Sequence, residues 1–246
     1  MSYYRRAGVG RAYAKGCSLQ YAPRGQRPWA LLGKPNSTNS REVVEFDVKN
    51  SQPTLLRNAL KKYCCDVASE LPFLDYFAHN VSMWRERTSA FLGSSEIEAK
   101  KIHLRAPYGG SPVLVASEGG GPGEVKNNER RLLMPHILML SKDFEAARRL
   151  LGDRDEVYQR IYTLPRCHRG DTVPGRTALS LFLGTLKRNV LYSLPLSLKP
   201  IPGVTVRALV FDGLIATVSS SQEEVAECAC REVIAAICAQ YDVCIV

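Results

Sequence analysis

The first 41 residues carry eight basic side chains (Arg5, Arg6, Arg11, Lys15, Arg24, Arg27, Lys34 and Arg41) and no acid. Gly, Pro and Tyr interrupt the run, and no helical or strand period holds it together. Such a stretch cannot supply a core, and its composition predicts a flexible, disordered basic arm over residues 1–41. The chain holds 33 Lys and Arg against 24 Asp and Glu. With eight of those cations in the arm, the body that must fold is close to neutral.

The 246 residues allow one large domain or two of ordinary size. Hydrophobic content of 45% and charged content of 23% are those of a globular protein. No apolar run approaches the roughly 18–20 residues needed to span a bilayer. The longest, 132–140, is broken by Pro135 and His136, so no membrane contact is expected. Eight cysteines are present, and no apolar segment of secretory type follows the charged and aromatic start. Reduced thiols in an intracellular, reducing compartment are expected, with cytoplasm and mitochondrion both open.

The body predicts an α+β fold with a mixed α/β middle. Residues 43–48 (VVEFDV) read as a strand, 54–68 as a helix ended by Pro72, and 73–91 as a second helical unit. Residues 103–105 and 112–116 read as short strands. The run EGGGPGE at 118–124 denies regular structure and predicts a loop or linker over 118–128. That places an N-terminal α+β domain at 42–117 and a C-terminal one at 129–246. Within the latter, a helix is expected over 129–151 with Gly152 as its stop, and a helix or strand over 156–164. Then come a helix at 177–191, strands at 194–198, 204–211 and 214–218, and a helix at 223–241. Asp212-Gly213 marks a hairpin between the last two strands. On that last helix, Val225, Cys228 or Ala229, Ile234, Ile237 and Cys238 are available to pack, and residues 243–246 read as a final strand.

This α-β-β-β-α order over residues 177–241 resembles a double-stranded-RNA-binding domain. The hairpin VTVRALVFDG (204–213) carries the resemblance, together with Val225, Ala229, Cys230, Val233 and Ile234, which stand where that family places Ala and aliphatics against its sheet. The family grips phosphates with lysines opening its final helix. Here Gln222, Glu223 and Glu224 occupy that segment, and 199–203 (KPIPG) lacks the family's Gly-Pro-x-His loop. Carboxylates repel phosphates, so the resemblance implies a module for protein contact or self-association rather than duplex binding.

The arm carries the chemistry that points to a partner. Arg5, Arg6, Arg11, Lys15, Arg24, Arg27 and Lys34 are the expected RNA-phosphate contacts, since each would release condensed counterions. Tyr3, Tyr4, Tyr13, Tyr21 and Trp29 lie between them as expected base-stacking residues. A solvated tail without a partner has the same composition. No metal site is expected, because Cys64-Cys65, Cys167-His168 and Cys228-x-Cys230 lack tetrahedral ligand spacing. Flanking arginines would activate Cys167 if they lay close, but an exposed basic turn explains Arg166-Cys167-His168-Arg169 more simply. Neither a nucleophile elbow nor a phosphate-binding loop occurs, and no cofactor is expected. Trp84-Arg85-Glu86-Arg87 and Arg148-Arg149 read as solvated helix faces, although Arg130, Arg131, Arg148 and Arg149 could extend a basic patch. The expectation is a non-enzymatic RNA-associated structural protein of capsid, nucleocapsid or ribosome-associated type. The alternative is an organellar (mitochondrial) enzyme or assembly factor whose basic N-terminus is a transit peptide.

Overall fold

The computed structural model describes residues 3–4, 13–14, 26, 41–49, 51–105, 127–168, 175–210, 213–219, 223–241 and 244–245. Its elements in chain order are β1 (Tyr3–Tyr4), β2 (Tyr13–Ala14), β3 (Arg41–Lys49), α1 (Ser51–Leu60), α2 (Val67–Glu70), α3 (Pro72–Leu92) and α4 (Glu96–Arg105). There follow α5 (Asn127–Arg154), α6 (Glu156–Tyr162), α7 (Arg176–Leu198), β4 (Val204–Val210), β5 (Gly213–Ser219), α8 (Glu223–Tyr241) and β6 (Cys244–Ile245). The fold class is α+β. The chain divides into two compact units, residues 1–55 with 183–246, and residues 56–182.

The first unit is built on an antiparallel sheet of order β4-β5-β3-β6, three long strands and a two-residue edge. β5 lies between two partners, and all but the last of its residues are buried, which is why GLIATVS is apolar almost throughout rather than alternating. Leu214, Ala216 and Val218 point to one face, and Ile215 packs with Ala208 and Val43 on the other. An extra residue on β4, Arg207, breaks the register between Val206 and Ala208. This is a β-bulge, and the Arg207 guanidinium donates to the Thr217 hydroxyl at 2.9 Å. The hairpin closes with Val210 opposite Gly213, and Gly213 also pairs with Asp47 of β3. A Cβ at Gly213 would overlap the Phe46 carbonyl oxygen, so only glycine fits between the two ladders.

The stretch 194–198 is not a strand but the end of α7. Its Leu-Pro-Leu-Ser-Leu pattern alternates, yet Val190, Leu191, Leu194 and Leu198 are the buried positions, and their spacing is helical. Leu196, which a half-buried strand would also turn inward, is 76% exposed. The C-terminal segment is therefore helix–strand–strand–helix, one strand short of the order that suggests an RNA-binding domain, and β3 supplies the sheet's third long strand. α8 has the expected bounds with its inward face turned: Ala226, Cys230 and Ile237 are buried, whereas Val225 and Cys228 are exposed.

The second unit is helical. Ile137, Leu140, Phe144, Ala147 and Leu151 are the buried residues of α5, spaced alternately three and four apart so that one seam faces inward. This seam belongs to the helix that packs against α3, whose own buried residues include Leu74, Phe77 and Val81. The helix expected over 54–68 ends at Leu60, because Asp66 starts a new one: its carboxylate accepts from the Ala68 amide at 3.0 Å. Residues 103–105 are helical, the last turn of α4, and not a strand. Ile102 and His103 are buried three and four residues after buried Ala99, which is helical spacing, whereas Leu104 is exposed. α5 continues through Pro135 and Gly152 to Arg154. α3 bends at Asn80 (φ −120°, ψ 28°), where the side-chain amide donates to the Tyr76 carbonyl at 2.9 Å. The division between the two units falls inside α1 and α7, and helix α5 begins at Asn127. Residues 112–116 and 118–126 lie outside the described residues.

Leu71 precedes α3 without a capping side chain of its own, so the orphan amides of Phe73 and Leu74 are met from another helix. Asp143 of α5 accepts from both, at 2.8 and 2.9 Å, while 9% exposed. Burial pushes its carboxyl above the usual carboxylate range, and these two hydrogen bonds pull against that rise. Asp143→Ala should cost about 2 kcal/mol or more in urea unfolding, with Asp143→Asn closer to wild type because an acceptor oxygen remains. Gly213→Ala should cost at least about 2 kcal/mol in the same measurement, since backbone rather than a flexible side chain must move.

Candidate functional site

Of the predicted arm contacts, Tyr3, Tyr4 and Tyr13 are among the described residues. Tyr3 pairs with Ala14 and Tyr4 with Tyr13 in a short antiparallel ladder, where the sequence suggested no strand. Arg5, Arg6, Arg11, Lys15, Tyr21, Arg24, Arg27, Trp29 and Lys34 lie outside the described residues.

Two grooves in the helical unit were not visible from the sequence. The first, of about 520 Å3, is lined by α3 residues including Phe73, Tyr76, Trp84 and Arg87, with His136 of α5. Trp84 is not on a solvated face. Its ring lies 5.5 Å from Phe77, 5.9 Å from His103 and 6.2 Å from His136, each near edge-to-face. Behind it, His103 is 2% exposed, and one ring nitrogen lies 3.1 Å from the Thr88 hydroxyl. The other ring nitrogen has no hydrogen-bond partner. Burial, aided by the neighbouring Arg85 charge, pulls the His103 pKa down to about 4, so the imidazole is neutral and part of the aromatic packing.

The second groove, of about 830 Å3, lies along the α5–α6 corner and is lined mostly by charged and polar residues. α5 contributes Glu145, Arg148, Arg149 and Asp153, and α6 contributes Tyr158, Gln159 and Tyr162. The corner is set by Asp155, whose two oxygens accept from the Tyr158 amide and the Tyr63 hydroxyl, both at 2.8 Å. Burial and this hydrogen bond push the Tyr63 pKa up to about 12. Arg154 donates to the Tyr63 carbonyl at 3.1 Å and ties the same loop to the corner. Tyr158 and Tyr162 follow at helical spacing and stack at 6.5 Å with 20° between their planes. Tyr158 is buried and donates to the Gly175 carbonyl at 3.1 Å. Gly175 has φ +75°, and a Cβ there would come within 2.7 Å of the Tyr158 hydroxyl, so this wall of the groove demands glycine. Tyr162 remains 37% exposed, with His168 edge-on at 5.1 Å.

The arginine pair divides its roles. Arg148, read from sequence as solvated, is 8% exposed. Burial lowers its pKa, with the Tyr158 phenol and Glu145 opposing. Arg149 is exposed and ion-paired to Glu145 one turn away. The groove thus combines guanidinium and amide donors, carboxylate acceptors and a partly exposed tyrosine ring, which is recognition chemistry. Its sequence signals were the Tyr158–Tyr162 spacing and the Arg148-Arg149 pair.

The other candidates resolve simply. Cys167 is 2% exposed and its thiol donates to the Ile161 carbonyl at 3.2 Å, the environment of a packed structural thiol and not of an exposed turn. Burial pushes the Cys64 and Cys230 thiols up. Among the described residues, no three His, Cys, Asp or Glu side chains converge as a metal site, and no helix is long and apolar enough to cross a membrane. No protein-family model matches the chain, and no curated protein sequence matches it.

His103 yields a pH prediction. The unfolded imidazole takes a proton near pH 6.5 and the folded one near pH 4, so stability is full above the first value and falls as pH drops toward the second. The stability of wild type relative to His103→Phe should decline by about 2 kcal/mol between about pH 7 and pH 4.5, read from urea midpoints.

Proposed function

We propose that this is a non-enzymatic RNA-associated structural protein that holds RNA through its basic aromatic arm. The observation that carries this reading is the placement of charge: eight cations and no acid before Glu42, followed by a body of near-zero net charge. A folded domain that binds RNA over its surface spreads lysine and arginine across one face. Here the cations unopposed by acid are concentrated in the arm, with Tyr3, Tyr4, Tyr13, Tyr21 and Trp29 interleaved for stacking on unpaired bases. The α+β body then serves for protein contact, its helix α8 displaying Val225 66% exposed as an apolar point of attachment.

Replacing Arg5, Arg6, Arg11, Lys15, Arg24, Arg27 and Lys34 together by Gln in the full chain tests this. The slope of log affinity against log salt for a single-stranded RNA should flatten by up to about 5, at about 0.7 for each phosphate that is no longer neutralised. Circular dichroism should show an unchanged body. An unaltered salt slope would refute the reading.

A further inference from the structure

We infer that the α5–α6 groove is a second RNA-binding site, a pocket for one unpaired nucleotide that the arm does not form. The inference rests on the RNA reading above but on separate residues. Tyr162 supplies the platform: it is 37% exposed, and the near-parallel ring of buried Tyr158 at 6.5 Å and the crossed ring of His168 at 5.1 Å hold its plane fixed. A ring held in this way gives up little freedom when a base settles on it. Around it, Asp153 and Gln159 both line the groove and are exposed. Gln159 donates one amide hydrogen to the Gly152 carbonyl at 2.9 Å, which leaves its second hydrogen and its oxygen, with the Asp153 carboxylate, for the edge of a base. The volume of about 830 Å3 is in the range of small-ligand pockets.

The two arginines add a place for the phosphate. Folding has already stripped most water from Arg148, so an anion entering the groove meets a cation with little hydration left to lose. Arg149 stands at the rim with its guanidinium steered by Glu145. With Asp153 the lining carries two cations and two carboxylates. That balance decides the kind of ligand. A duplex backbone needs a run of unopposed cations, whereas a single nucleotide held mostly by stacking and edge hydrogen bonds does not. Binding here should therefore resist salt, in contrast with the arm.

This difference separates the two sites experimentally. The full chain is irradiated with a short single-stranded RNA carrying 4-thiouridine, at low and at high salt, and the crosslinked peptides are identified by mass spectrometry. The expected result is crosslinking to the 156–163 segment that persists at high salt, while arm crosslinks fade. Tyr162→Leu, which keeps an apolar side chain against Tyr158, should reduce the groove crosslink about tenfold and leave the arm's unchanged. Arg149→Ala, at an exposed position, should weaken it several-fold with the fold untouched. Crosslinks confined to the arm at every salt, or groove crosslinks indifferent to both variants, would overturn the pocket. Groove crosslinks without arm crosslinks would uphold the pocket and overturn the arm, and the absence of both would overturn both.

Discussion

The ladder between β3 and β5 is the constraint on which the sheet unit depends. It pairs Arg41 through Asp47 with Ser219 through Gly213, so the strand nearest the arm is completed only by one close to the last helix. Because β5 is buried on both faces, it needs partners along both edges to satisfy its backbone. β4 provides one and β3 the other. Gly213 stands where both ladders meet the hairpin, and its missing side chain lets the Phe46 carbonyl approach. The sheet therefore turns on one glycine as much as on any apolar packing.

In the helical unit, buried polar groups do the orienting. Asp143 caps α3 from α5, and Asp155 joins the start of α6 to Tyr63. Each is a carboxylate that accepts two hydrogen bonds in a nearly dry site, the condition under which burying a charge is tolerable. An apolar seam alone leaves two helices free to slide or rotate. These carboxylates fix which turn meets which, and so fix the α5–α6 corner where the second groove opens.

Where sequence and structure agree, the local signal was strong and unopposed. The β4–β5 hairpin is announced by Asp212-Gly213 between apolar runs, α3 by an aromatic-rich stretch, and α8 by Glu223 and Glu224, whose charge favours a helix's first turn. Disagreement came where one pattern satisfies two periods. Leu194, Leu196 and Leu198 alternate like a strand, yet Leu194 and Leu198 also continue the stripe of Val190 and Leu191. His103 to Arg105 was too short to show a period at all. The third strand could not be found from the hairpin, since its partner is remote in the chain. Arg148 shows the limit for sites. A cation beside another cation on a helix reads as solvated, and only the placement of Tyr158 and Gly175 reveals that it is enclosed.

The separation of β3 from β5, roughly 170 residues, also sets the order in which the chain can fold. At ribosomal rates of about 5–20 residues per second, β3 waits on the order of ten seconds or more for its partner. The helical unit, richer in local pairings, is synthesised within that interval. An unpaired strand is an invitation to aggregation. Arg41, Glu42, Glu45, Asp47 and Lys49 punctuate this one with charge, which keeps Val43, Val44, Phe46 and Val48 from forming an uninterrupted apolar edge while it waits.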